Sequence, residues 1–185
     1  MTTTTEKLLT ADDLLELYAQ GVRGELIMGV LHETVSSGQE HGEVVVNFST
    51  ELRNFVRPRR LGRVVASDSG IQLERNPDTV REPDIAFISA ARLPLGARVP
   101  GYSQVVPDLV VEVVSPSDRP AQVYDKAQMW LRFGVRLVLV VDPEARSVRA
   151  LPSEGPTRTF TEDDTLDCGD VLPGFSCAVR DVFDT

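Results

Sequence analysis

The run Leu109-Val110-Val111-Glu112-Val113-Val114 constrains the fold of this chain more than any other stretch. Nearly unbroken, mostly β-branched apolar residues read as a strand covered on both faces, and so placed inside a sheet. Glu112 is the one ionisable group in the run. A carboxylate in such a place is costly unless it is paired or bound to a metal. The strand therefore predicts a buried core and a site together, and the question becomes what meets Glu112.

Seventeen of the nineteen basic residues are arginines, and Lys126 is one of only two lysines. Lysine is a compact point charge whose pKa shifts readily, whereas arginine is a planar fork that stays charged. Asp84, in Arg81-Glu82-Pro83-Asp84, opens a second apolar run, Ile85-Ala86-Phe87-Ile88. Two carboxylates and one lysine are the parts of a hard-metal phosphodiesterase centre. The acids hold Mg²⁺ and the lysine holds the attacking water or the phosphate. The plainer reading is a surface lysine and two strand-end acids, and residue type alone leaves both open.

Spacing bears on whether the three meet. From residue 112 to 116 a strand climbs about 13 Å. A helix starting at Ser117 and packed back on the sheet descends about 13 Å by residue 126. Lys126 then returns to the level of Glu112, with Val123 and Trp130 on the same helical face. Asp84 joins them if its strand lies beside that of Glu112.

Elsewhere the pattern predicts a short helix begun by a Thr10/Asp13 capping box and stopped at Gly21. A hairpin turning at Met28-Gly29 follows, then a helix from about Gln39 to Val56 ended by Pro58. Val64 to Ser67 reads as a strand with Gly70 to Glu74 as its hairpin partner, and Asn76-Pro77-Asp78 as a turn. Residues 91–107 form a long loop. Beyond the helix closed by Gly134 come strands over Val135–Val141, Val148–Leu151 and around Thr157–Phe160, then a turn at 171–175 and a short terminal helix.

The length predicts one domain over residues 9–185, with residues 1–8 as a disordered lead-in. The lead-in has neither a basic start nor an apolar stretch, so it does not read as a signal peptide, and the expected compartment is the cytoplasm. Cys168 and Cys177 are then expected to be free thiols, although spacing alone leaves a disulfide open. The net charge of −9 weighs against strong non-specific nucleic-acid binding. Its distribution is uneven: residues 51–160 carry sixteen bases and thirteen acids, while both ends are acidic. Five arginines (Arg53, Arg57, Arg59, Arg60 and Arg63) fall within eleven residues. Such a cluster suits phosphate, and equally suits a solvated helix end.

Read together, Pro83-Asp84-Ile85-Ala86-Phe87-Ile88, Pro107-Asp108 through Ser117-Asp118, Asp125-Lys126, Gly134-Val135 and Val141-Asp142-Pro143 resemble the Uma2 family. These are bacterial restriction-endonuclease-like proteins of the PD-(D/E)XK nuclease superfamily. Gly24-Glu25-Leu26-Ile27-Met28-Gly29, His41-Gly42 and Leu172-Pro173-Gly174-Phe175 also fit, so the resemblance runs from about Asp12 to the end. It implies a restriction-endonuclease-like α/β fold, a central mixed sheet flanked by helices, with an N-terminal helix and hairpin. It implies a Mg²⁺-dependent DNA endonuclease, Mn²⁺ substituting, with Asp84, Glu112 and the Val113 carbonyl on the metal and Lys126 as the catalytic cation. The superfamily's usual lysine would fall at Val114; here the following helix supplies it. Glu25, Glu43 and His41 are possible accessory groups, and Arg57, Arg59 and Arg60 possible phosphate contacts on the rim. Asp108 is expected to orient the strand entry. A homodimer is expected, since cutting two strands favours two copies. The alternative is a nuclease-like module that binds a partner or nucleic acid without cutting.

Overall fold

The computed structural model describes residues 8–116 and 118–184. The expected lead-in and the expected helix cap at Ser117 lie outside the described residues, apart from Leu8. Backbone contacts divide the chain into two compact units, each discontinuous in sequence. The first takes the chain up to Ser36, Ser69–Glu82 and Val99–Val105; the second takes Ser37–Asp68, Pro83–Arg98 and Val106 onward.

In the first unit, helix α1 (Ala11–Ala19) begins with the anticipated capping box: Thr10 and Asp13 each bond the other's backbone N–H. Strands β1 (Gly24–Ile27) and β2 (Val30–Glu33) form the hairpin, with Met28 and Gly29 both at positive φ in its turn. β1 also pairs with β5 (Thr79–Arg81), which pairs with β4 (Ile71–Glu74), giving the order β2-β1-β5-β4. Ala11, Leu14, Leu26 and Val80 form its small core.

The second unit is built on a six-stranded mixed sheet of order β10-β9-β8-β7-β6-β3. Its strands are β3 (Gly62–Ala66), β6 (Ile85–Ser89), β7 (Leu109–Val113), β8 (Leu137–Asp142), β9 (Ser147–Pro152) and β10 (Arg158–Thr161). β7 and β8 are parallel and joined through helix α3 (Pro120–Arg132); the other pairings are antiparallel. β7 is central, and all five of its residues are buried. Helix α2 (Gln39–Val56) runs within the predicted bounds and turns Val44, Val45, Phe48, Leu52 and Val56 inward. They pack with Leu109, Val111 and Val113, so alternation sends Val110 and Glu112 to the opposite face. A hairpin of β11 (Thr165–Asp167) and β12 (Ser176–Ala178) and the terminal helix α4 (Arg180–Phe183) close the chain.

Two expectations are corrected. β3 and β4 do not form a hairpin. β3 pairs with β6 and β4 with β5, in different sheets. Ser67 and Asp68 both take positive φ and redirect the chain, and Ser67 N–H bonds the Asp84 carbonyl instead. At Gly62 a side chain would lie 2.1 Å from the Ile88 carbonyl oxygen, so the pairing requires glycine there. Helix α3 starts later than expected, at Pro120 with Arg119 as N-cap, and Gly134 at φ +94 ends it.

Cys168 and Cys177 are free and buried. Burial pushes both thiols up, Cys177 to about 12, so at about pH 8 neither ionises in the folded protein. An aromatic disulfide reagent should therefore leave both thiols unmodified at about pH 8 and titrate both once denaturant unfolds the chain. Rapid reaction of either in the native protein would contradict this packing.

Candidate active site

Asp84, Glu112 and Lys126 all belong to the second unit. The antiparallel register pairs Ile85 with Val111, and its continuation sets Asp84 opposite Glu112 at the end of β6. Directly opposed residues project to the same face of a sheet. The Val113 N–H donates to Asp84 Oδ2 at 2.7 Å, tying the two strand ends together.

Glu112 is buried. Lys126 Nζ lies 2.8 Å from its Oε2, and Trp130 Nε1 donates to its Oε1 at 2.6 Å. Both donors come from one face of α3, a turn apart. Trp130 is fully buried, so its indole both packs the interface and presents its N–H to the acid. That bond is the feature the sequence reading missed. Its signal was present, since a residue four after Lys126 shares its helical face.

His41, near the start of α2, is buried with Nε2 3.3 Å from Asp84 Oδ2. Its pKa is raised, chiefly by the hydrogen bond to Asp84; burial opposes this, and the charges of Asp84 and Asp118 and the Val113 backbone add to it. Asp118 also accepts the Ser115 N–H at the corner between β7 and α3. His41 is thus a partner of Asp84, placed by a helix forty residues upstream.

The other candidates have partners of their own. Glu25 lies in the first unit, buried, 3.0 Å from Arg81 and accepting the Glu82 N–H. It is a structural acid there rather than a solvated one. Glu43 accepts from Gln39 one turn earlier on α2. Asp108 is buried, accepts the Ser89 N–H and pairs with Arg92 at 3.1 Å, which fixes the entry to β7. Arg57, Arg59 and Arg60 do not rim the site, because they stand at the opposite end of α2 from His41.

The protein-family model Uma2, described as "Putative restriction endonuclease", matches residues 11–180. The chain belongs to the Uma2 family. A crystal structure of a "putative nuclease belonging to DUF820" from Anabaena variabilis ATCC 29413 is similar, with TM-score 0.80 and 19% identity. The likeness covers 95% of this chain and 97% of that one, and at this identity it shows the fold. No curated protein matches. Family and fold together support a nuclease-like function for this Uma2 chain, whose mixed sheet flanked by helices is as the resemblance implied.

Among the described residues no group of three or more His, Cys, Asp or Glu side chains is arranged to hold a metal ion. An all-protein cage is therefore not built. Mg²⁺ does not need one: it is commonly held by one or two carboxylates, with water and substrate phosphate completing the shell. Two oxygen acids on adjoining strand ends fit that requirement. Asp84 Oδ2 accepts from Val113, while no described hydrogen bond uses Oδ1.

Trp130→Phe should remove the N–H facing Glu112 together with one ring of the indole, so loss of the bond sets a lower bound on the cost. The expected cost is about 1–3 kcal/mol, the range for a buried polar group left unsatisfied. Urea unfolding measures it, and an unchanged midpoint would refute the bond.

Proposed function

We propose that this chain is a metal-dependent endonuclease hydrolysing phosphodiester bonds in DNA. The observation that carries the reading is Glu112, a buried strand acid held between Lys126 and Trp130, with Asp84 on the adjoining strand end. Asp84 and Glu112, with the Val113 carbonyl, would hold Mg²⁺, and Mn²⁺ suits the same oxygen donors. When bound, the ion supplies Lewis-acid polarisation of a phosphoryl oxygen and lowers the pKa of water.

The chain's own groups do the rest. Lys126 Nζ donates hydrogen bonds to the attacking water or to a non-bridging phosphate oxygen, and its charge offsets the charge that develops there. Trp130 fixes the rotamer of Glu112, leaving the carboxylate no freedom to turn from the strand end. His41 does the same for Asp84. Two copies of the chain would cut both strands of a duplex.

One observation favours the non-catalytic reading. Both oxygens of Glu112 already carry donors from within the chain. The acid is thereby satisfied without an ion, as in a structural ion pair.

Supercoiled plasmid with Mg²⁺, Mn²⁺ or EDTA separates the two. The nuclease reading expects nicked or linear product with either ion and none in EDTA. Asp84→Ala and Lys126→Ala should each slow cutting by on the order of a hundredfold or more. Calorimetric titration with Mn²⁺ should show binding to the wild type that Asp84→Ala abolishes. A wild type that neither cuts nor binds the ion would establish the non-catalytic module.

A further inference from the structure

The arginines that close α2 differ in what they do. Arg63 donates to the Pro94 and Ala97 carbonyls. Arg59 stacks 4.1 Å over the Phe55 ring and donates to the Phe55 carbonyl. Arg53, Arg57 and Arg60 are exposed, and among the described residues no carboxylate comes within ion-pair distance of them. Half-buried Arg146 is neutralised by Glu162 and Asp184, and exposed Arg158 and Arg180 by Asp167 and Asp163, whereas exposed Arg149 stands alone on β9 without such a pair among the described residues. In a chain of net charge −9, three uncompensated arginines at one helix end form a local cationic patch. Arg53 and Arg57 are one turn apart and line a shallow pocket with Asn54 and Pro58.

The patch is related to the site by the helix that carries both. His41 contacts Asp84 at one end of α2, and Arg57 caps the other. Sixteen residues separate them, which is about 24 Å along the axis. The exposed stripe between them runs through Gly42, Val46 and Thr50, with half-buried Glu43 beside it at the His41 end. His41 turns inward with Val44, Val45 and Phe48, whereas Arg53 and Arg57 stand on the exposed side of the helix, so the patch and the acids face different ways.

We propose that Arg53, Arg57 and Arg60 form a second, sequence-independent contact for a nucleic-acid phosphate backbone, apart from the acids and Lys126. The choice of nucleic acid rests on the nuclease reading, but binding at the patch does not require cutting. Guanidinium groups suit phosphate because they donate in pairs to its oxygens. The contact anchors and orients the duplex, while chemistry stays with the acids and Lys126.

The test is fluorescence anisotropy of a labelled duplex of about 25 base pairs in EDTA, across about 50 to 200 mM salt. The wild type is compared with Arg53→Gln/Arg57→Gln/Arg60→Gln, whose helix content is checked by circular dichroism. Each lost phosphate contact removes about 0.9 from the slope of log affinity against log salt. The triple variant should be shallower by about 2 to 3 and weaker at low salt by at least tenfold. Arg75→Gln, an exposed arginine just after β4, controls for loss of charge and should change the slope by less than about 1. Equal slopes for wild type and triple variant would overturn the contact. So would displacement of the duplex by polyglutamate as readily as by unlabelled DNA, which would assign the patch to an acidic protein. A wild type that binds through the patch yet never cuts would sink the nuclease reading and leave this contact standing.

Discussion

The second unit depends on how one buried carboxylate is satisfied. β7 lies mid-sheet with every residue covered, so Glu112 cannot turn to solvent. A desolvated acid has to find donors or lose its charge. It finds a cation and an indole N–H on successive turns of α3, and so fastens that helix to the sheet at a fixed height. Polar contacts of this kind specify one packing arrangement where apolar contacts alone would allow several. The crossover from β7 to β8 is thereby more than a link between parallel strands, because it carries the acid's partners back to it.

The strand ends are fixed by similar means. Asp84 lies just outside β6, where its carboxylate serves the Val113 N–H in place of a ladder bond. His41 reaches the same oxygen from α2. Supports for the two acids thus arrive from α2 and from α3, one from each side of the sheet. Neither support stands next to its acid in sequence.

The sequence was most legible where the controlling physics is local. The bounds of α2 followed from apolar spacing and a terminating proline, and the Thr10/Asp13 box from two residues three apart. Lys126 meets Glu112 as the rise of a strand and a helix predicts, because the two are only fourteen positions apart. What failed was pairing at a distance. Val64 and Ile71 look like the arms of one hairpin, yet their partners are Phe87 and Arg81, and only the left-handed backbone at Ser67 and Asp68 parts them. The link from His41 to Asp84 joins elements with three strands between them in sequence, and no short-range pattern encodes it. β11 and β12 were missed because three-residue strands barely register as alternation.

The chain passes between its two compact units five times, at 36–37, 68–69, 82–83, 98–99 and 105–106. The small four-stranded sheet is therefore no appendage that a shorter gene could omit. Three separate stretches of sequence assemble the unit that holds it, and two of them are excursions from the stretches that build the larger sheet. No single truncation yields either unit whole, and one proteolytic nick in the loop of residues 91–107 would leave every strand of both sheets covalently connected to a neighbour. A two-residue change near Glu82 and Pro83 would reset the position at which Asp84 enters its strand.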